Sequence, residues 1–83
     1  MMDKRIGVVG IVVESREGID KLNKILQDHA EIIVGRMGIP YKEKGVNVIS
    51  IVVDGSTDQI GSMTGKIGSI EGITVSTALS KKK

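Results

Sequence analysis

Two short segments of this sequence carry the side chains best suited to binding a small ligand. Ser15, Arg16 and Gly18 lie between an apolar run and an amphipathic one. A helix that begins there presents unpaired backbone N–H groups and a guanidinium to an anionic effector. Arg36 and Tyr41 lie in a second segment, and both residue types are favoured at interfaces. The alternatives are a capped helix start with an exposed arginine and an irregular edge strand with a glycine bulge. We treat these five residues as candidates for an effector site.

The residue types that are missing exclude several kinds of catalytic and metal site. The 83 residues include no Cys, one His and one aromatic side chain. Without Cys there is no disulfide, thiolate metal site or cysteine nucleophile. A single His excludes a zinc site built from several imidazoles, and a single aromatic residue excludes a base-stacking platform. His29, at the predicted end of a helix, is interpreted as a structural residue. We expect no catalytic residue, no metal and no cofactor.

The charge distribution argues against direct binding to nucleic acid or to a membrane. The formal net charge is +2, from 12 basic and 10 acidic residues. Residues 81–83 are a lysine tail that we expect to be disordered, and without it the body is close to neutral. The apolar run near the N-terminus has no cleavage site, and no apolar stretch approaches the ~20 residues of a membrane span. We therefore expect a cytoplasmic location.

Hydrophobic periodicity predicts a single domain, residues 1–83, with four strands and two helices. Ser15 is the expected N-cap of the first helix. Ser56 and Gln59 have the spacing of a capping box at the second helix. The predicted strands are residues 5–13, 30–41, 46–53 and 73–79, and the predicted helices are residues 17–28 and 57–70.

The two halves of the sequence repeat, and this repeat predicts the topology. Aliphatic residues recur at an offset of 40 between the first and third strands, and at an offset of 41 between the helices. A duplicated β-α-β unit in a short chain is the split βαβ arrangement. The fold class is therefore α+β, a ferredoxin-like βαββαβ sandwich. Right-handed crossovers give an antiparallel sheet with strand order 4-1-3-2 and both helices on one face.

Two helices cover only one face of such a sheet, so the second apolar face needs another partner. An uncovered face would form a larger apolar patch than soluble monomers usually expose. We therefore predict a homo-oligomer, either a dimer or a tetramer, that associates through this face or through the edges of the sheet. The residues expected beneath the helices are Val9, Ile11, Val13, Ile49, Ile51 and Val53. The predicted interface residues are Ile6, Val8, Val12, Ile33, Met37, Val46, Val48 and Val52.

Three segments carry a resemblance to a known family: KRIGVVGIVVE at 4–14, GRMGIPY at 35–41 and SMTGKIGSIEGITV at 62–75. The whole chain resembles the small regulators of the iron-only hydrogenase system. Its predicted fold resembles ACT-type regulatory domains and the C-terminal domain of nickel-responsive regulators. The resemblance implies a non-enzymatic, oligomeric module in the control of hydrogenase expression or maturation. Such a module would bind a small effector or a protein partner at a subunit interface.

The sequence departs from the nickel-responsive regulators in two respects. Those proteins bind metal through several His and a Cys, whereas this chain has only His29, with Val48, Ser50 and Val52 at the later strand positions. They also carry a separate DNA-binding module, which these 83 residues do not contain. We therefore expect no nickel binding, and we expect any control of transcription to act through a partner or by a route that the sequence does not identify.

An enzyme on the same architecture is the alternative function, namely a small acylphosphatase-like phosphohydrolase. Arg16 would hold the phosphate and Asn47 would orient the attacking water, although the loop lacks the glycine run of a phosphate cradle. A four-stranded RNA-binding domain is excluded, because its central strands need aromatic side chains. Gly61, Gly65 and Gly68 form a stripe on the second helix. The stripe indicates either close approach by another group or a weak, exposed helix.

Overall fold

The computed structural model describes residues 4–81, which form four strands and two helices in the predicted order βαββαβ. Short 3-10 turns lie at Ala30–Ile32 and Lys42–Lys44. Of the tail predicted to be disordered, Lys81 is exposed, and residues 82–83 lie outside the described residues, as do residues 1–3. The elements are β1 (Lys4–Val13), α1 (Arg16–Asp28), β2 (Ile33–Tyr41), β3 (Val46–Ser56), α2 (Thr57–Gly68) and β4 (Ile73–Leu79).

The four strands form one antiparallel sheet in the order β2-β3-β1-β4, which confirms the predicted order. β1 is a central strand, and its Val8 is opposite Val52 of β3 and Ala78 of β4. The edge position of β2 agrees with Pro40, which cannot donate a hydrogen bond to a further strand. Because directly opposed residues share a face, this register fixes which side chains lie on each side of the sheet.

Side-chain caps begin both helices where the sequence predicts them. The Gly18 amide donates to Ser15 Oγ at 3.1 Å. At α2, the Gln59 amide donates to Ser56 Oγ at 3.0 Å and the Ser56 amide donates to Gln59 Oε1 at 2.9 Å, which completes the capping box. His29 ends α1, and its Nδ1 lies 2.9 Å from a backbone carbonyl oxygen of the last turn. That contact supports the structural interpretation of His29.

The helices cover the isoleucine-rich face of the sheet, as predicted. Every residue that was expected beneath the helices is buried, and Ile51 and Val53 have no exposed surface. Leu22 and Leu26 of α1 belong to the same cluster. Burial of such a side chain stabilises the fold by ~1.5–3 kcal/mol, so this layer holds the domain together. The cluster consists of Val9, Ile11, Val13, Leu22, Leu26, Ile32, Ile49, Ile51, Val53, Ile60, Met63, Ile67 and Ile70.

The start of β2 departs from the prediction. The strand predicted for residues 30–41 begins only at Ile33, because Ala30–Ile32 forms a 3-10 turn. A β-bulge between Ile33 and Gly35 then shifts the register. Ile33 is opposite Val53 and packs against the core beneath the helices. It therefore does not lie on the uncovered face with the other predicted interface residues.

Candidate functional site

A pocket of about 170 Å³ lies where the loop between β1 and α1 meets the loop before β4. The Glu14 amide donates to the carbonyl oxygen of Gly72 at 2.8 Å and joins the two loops. Gly72 has a φ of 83°, which glycine adopts without strain, and the chain turns there into β4. The pocket is lined by Ser15, Glu17, Gly18 and Lys21 on one side and by residues 70–72 on the other.

Close packing explains the glycine at position 18. A Cβ atom there would lie 2.9 Å from Ser15 Oγ and 3.3 Å from Val13 Cγ1, and would push the capping hydroxyl away from the helix. The first turn of α1, whose N–H groups have no partner within the helix, borders the pocket. Lys21 and Glu71 add both signs of charge to the pocket wall. The pocket therefore suits a small, polar and charged molecule.

The sequence interpretation finds only one side of this pocket. Ser15 and Gly18 line it, whereas Arg16 is exposed and is not a lining residue. Glu71 and Gly72 are missed because they lie more than fifty residues away along the chain. The predicted topology carries the signal that could have found them. Since β4 pairs antiparallel with β1, the turn before β4 must lie beside the end of β1.

Arg36 and Tyr41 lie on opposite faces of β2 and outside this pocket. Arg36 Nη2 donates to Asn23 Oδ1 of α1 at 3.3 Å, and Arg36 borders an open groove of about 340 Å³ between α1 and β2. Tyr41 is opposite Val46 on the face that the helices do not cover. The five candidate effector residues therefore do not form one site within a single chain.

The face of the sheet that the helices do not cover is uncharged and mainly aliphatic across its centre, where Ser50, Ser76 and Thr74 are the polar residues, and we call it the open face. All the predicted interface residues except Ile33 lie on it, and so does Ile39, which was not among the predicted residues. Ile6 lies at one end of the face and Tyr41 at the other. Its three central cross-strand rows are Gly35–Val52–Val8–Ala78, Met37–Ser50–Gly10–Ser76 and Ile39–Val48–Val12–Thr74.

The aliphatic side chains of the open face are unusually exposed for residues in the middle of a sheet. Ile6, Val8, Val48 and Val52 of the central strands are 50%, 47%, 39% and 37% exposed, and Met37 of β2 is 62% exposed. The three central rows contain no charged residue. An uncharged apolar surface of this kind is typical of contacts with protein and not of contacts with nucleic acid phosphates.

The two residues of the enzymatic alternative lie at the same end of the sheet. Asn47 is half-buried opposite Val13 on the helix side, and Arg16 is the exposed first residue of α1. Within residues 4–81, no group of three or more His, Cys, Asp or Glu side chains could hold a metal ion. Neither described helix is long and apolar enough to cross a membrane.

Comparison with known proteins connects this fold to a family. The sequence pattern of the TM1266-like family, described as "Iron-only hydrogenase system regulator, putative", matches residues 5–77. The solved structure of the uncharacterized protein TM1266 from Thermotoga maritima is 32% identical, with a TM-score of 0.91. That match covers 95% of this chain and 100% of the other. The comparison with curated proteins gives no match.

More distant structures share the fold alone. A "putative glycine cleavage system transcriptional repressor" gives a TM-score of 0.71 at 12% identity, over 96% of this chain and 48% of the other. A formyltetrahydrofolate deformylase from Pseudomonas putida KT2440 gives a TM-score of 0.62 at 10% identity, over 88% of this chain and 28% of the other. The fold is thus ACT-like, as the resemblance in the sequence implied. By its sequence pattern and its whole-chain structural match, the chain belongs to the TM1266-like family of iron-only hydrogenase system regulators.

Proposed function

We propose that this chain is a non-enzymatic regulatory module of the iron-only hydrogenase system, which works in the cytoplasm as a homo-oligomer and binds a small effector. Membership of the TM1266-like family supports the regulatory role. The shared fold with a protein described as a transcriptional repressor is consistent with it. The open face is the observation that carries the proposal, because a soluble chain needs a partner to cover it.

The size of the open face is sufficient for a stable contact between two copies. The four strands have 10, 9, 11 and 7 residues. With a rise of ~3.4 Å per residue and a spacing of ~4.8 Å between strands, they span roughly 600 Å². Two such faces would bury roughly 1,200 Å² together, which reaches the range of specific protein interfaces. Face-to-face packing of two sheets also needs no charge complementarity, in keeping with the uncharged central rows.

The free energy gained by burying the open face is also sufficient to offset the cost of association. The exposed fractions of Ile6, Val8, Val48, Val52, Met37, Ile39 and Tyr41 together equal about three whole side chains per copy. At ~1.5–3 kcal/mol per side chain, covering both faces contributes roughly 10–20 kcal/mol. Association costs ~4–15 kcal/mol in lost freedom of motion. The balance favours an oligomer over most of this range.

The pocket at the β1–α1 loop is the proposed effector site. Its volume of about 170 Å³ suits a molecule of a few non-hydrogen atoms. Backbone N–H groups of the first turn of α1 and the Lys21 ammonium favour a negative group, and the Glu17 and Glu71 carboxylates favour a positive one. A small zwitterion satisfies both. Because the folded body is close to neutral, the regulatory signal is proposed to pass to a protein partner and not directly to DNA.

Replacing a central residue of the open face by a charged one tests the oligomer. Val8→Asp places a carboxylate in the middle of the proposed contact, and burial of that charge is strongly unfavourable. Val34→Asp is the matched control, since Val34 is 67% exposed and lies outside the three central rows. Light scattering should give a smaller mass for Val8→Asp and the wild-type mass for Val34→Asp. Equal masses for both variants and the wild type would contradict the proposal.

The effector site is tested by calorimetry with a panel of amino acids, nucleotides and metal ions. A ligand that binds should lose affinity in Lys21→Ala and keep it in Lys24→Ala, because both residues are exposed on α1 and only Lys21 lines the pocket. An equal loss in the two variants would contradict this placement. No binding across the panel would favour a protein partner over a small effector.

A further inference from the structure

The two edges of the sheet differ, and the difference begins with the hydrogen bonds of β4. The Ser80 amide donates to the carbonyl oxygen of Ile6 at 2.8 Å, and the Glu14 amide donates to that of Gly72 at 2.8 Å. In an antiparallel pair, hydrogen-bonded residues alternate with residues that are not. The even-numbered residues of β4 therefore direct their backbone groups at β1. The odd-numbered residues direct theirs away from the sheet. Of these, the Ile73 amide already donates to the carbonyl oxygen of Ile70, so Val75, Thr77 and Leu79 are the three that remain.

The β2 edge is protected against pairing with another strand. The even-numbered residues of β1 bond to β4, so its odd-numbered residues bond to β3, and the even-numbered residues of β3 bond to β2. The β2 residues that pair with them are odd-numbered. Arg36, Gly38 and Pro40 are therefore the residues whose backbone groups point outward. Pro40 has no N–H group, Arg36 is charged, and a β-bulge interrupts the strand near Gly35. Proline, charge and bulges are the devices by which proteins block an exposed edge.

The β4 edge has none of these devices. Its seven residues pair with β1 without a register shift and include neither proline nor a charged side chain. The three outward residues Val75, Thr77 and Leu79 are β-branched or apolar, types that favour strands. A regular, uncharged edge of this composition is a template for a further strand.

We propose that β4 pairs antiparallel with β4 of a second copy, with Thr77 on the two-fold axis. A symmetric contact between identical strands must be antiparallel. This register places Thr77 opposite its own counterpart and Val75 opposite Leu79. It uses the N–H and C=O groups of all three outward residues and forms about six interchain hydrogen bonds. The result is a continuous eight-stranded sheet. A register centred on residue 76 would need the Ile73 amide, which already donates to the carbonyl oxygen of Ile70 at 3.3 Å.

The side chains above the β4 edge favour a second copy over an unrelated peptide. Thr–Thr pairs and aliphatic pairs stabilise neighbouring strands, and Leu79 still has 39% of its surface exposed for such a contact. At the ends of the pairing, Lys81 of one copy lies opposite Ile73 of the other, two residues from Glu71.

The glycine stripe of α2 lies on the same side of the molecule as this edge. A Cβ atom at Gly68 would lie 3.4 Å from Val75 Cγ1, so the stripe is turned towards β4. Among the described residues, and leaving aside the neighbouring backbone of α2 itself, no atom lies within 4 Å of a Cβ atom placed at Gly61 or Gly65. Pairing of two β4 strands brings the two α2 helices alongside each other, and glycine permits their close approach. An unrelated peptide on the edge would leave this stripe unused.

Amide hydrogen exchange tests the pairing directly in the wild-type chain. The amides of Ser76 and Ala78 are protected within one chain by β1, whereas those of Val75, Thr77 and Leu79 are protected only by an added strand. We expect the latter three to exchange at least about 100-fold more slowly than free amides. Exchange at the rate of free amides would overturn the proposal. Protection that appears only after addition of an extended peptide would replace the second copy by a foreign strand, and would also overturn it.

A proline variant tests the same pairing through the mass of the assembly. Thr77→Pro removes an outward N–H group and leaves the hydrogen bonds to β1 intact. The mass should fall by half, while Thr77→Val, which keeps the N–H group, should retain the wild-type mass. An unchanged mass for Thr77→Pro would overturn the proposal, and if that variant does not fold, the exchange measurement decides alone. Val8→Asp should disrupt the open-face contact and leave β4 protected, so failure of the two contacts can be distinguished.

Discussion

Replacing Val8 by threonine measures how much the open face contributes to assembly. Val8 is 47% exposed in the single chain and lies in one of the three central rows, between Val52 and Ala78. Threonine has nearly the volume and the strand preference of valine, so Val8→Thr exchanges one methyl group for a hydroxyl with little change of shape. The effect on assembly should therefore arise from polarity.

The expected effect of Val8→Thr on association follows from how far its hydroxyl is buried in the single chain and in the assembly. In the single chain the hydroxyl remains partly in water, and the free energy of unfolding should change by no more than ~0.5 kcal/mol. In a face-to-face assembly it loses water, at a cost of ~1–3 kcal/mol per copy. Because a symmetric contact contains the residue twice, association should weaken by roughly 2–6 kcal/mol. This corresponds to an increase in the dissociation constant of at least about 30-fold.

Sedimentation equilibrium of the wild type and Val8→Thr gives both dissociation constants, and urea denaturation at concentrations low enough for both to be single chains gives the stability of each chain. Val34→Thr is the matched control, since Val34 is 67% exposed and outside the central rows. We expect the control to change the dissociation constant by less than about twofold. A similarly small change for Val8→Thr, with stability retained, would refute the argument that the open face is covered in the assembly.

Three further predictions concern the fold and the choice between functions. Ser56→Ala should lower the free energy of unfolding by ~0.5–2 kcal/mol, because it removes the hydroxyl that accepts from the Gln59 amide at 3.0 Å; urea denaturation measures the loss, and Ser62→Ala, an exposed position in α2, should have a smaller effect. Gly72→Ala should destabilise the chain by ~1–2 kcal/mol, because its φ of 83° strains any residue with a Cβ atom; a melting temperature equal to that of the wild type would contradict this. In an acyl-phosphate assay the wild type should show no more turnover than Arg16→Ala, and turnover that depends on Arg16 would favour the phosphohydrolase alternative.

The sheet and its two faces are predictable from sequence because side chains alternate between the two faces along each strand. Each central strand therefore divides into residues of one face and residues of the other. The isoleucine-rich set centred on Ile11 and Ile51 is buried as expected, and the valine-rich set around Val8 and Val52 is exposed. Larger side chains fill the space beneath two helices better than valine does, so residue size indicates which face they cover.

The local irregularity of β2 is not predictable in the same way. A bulge moves Ile33 to the face opposite the one that was expected, and the permissive backbone of Gly35 only allows such a bulge without requiring it. The separation of Arg36 from Tyr41 could have been predicted. They are five positions apart in one strand, and residues an odd number apart lie on opposite faces.

The proposed effector pocket is predictable from sequence only in part, because its two sides come from loops far apart in sequence. Ser15 and Gly18 are recognisable as a helix start, since capping has a local pattern. Glu71 and Gly72 have no pattern that indicates a ligand, and they enter the site through the pairing of β4 with β1. The identity of an effector depends on charges from both loops, and a local pattern contains only one of them.

Sedimentation equilibrium of the unmodified protein at micromolar concentration tests the central claim most directly. If a second copy covers the open face, the measured mass is two or four times the 8.9 kDa of one chain, and it falls on dilution. A mass of one chain throughout the micromolar range would show that the face remains exposed to water, and would contradict the account of this protein as an assembled regulator.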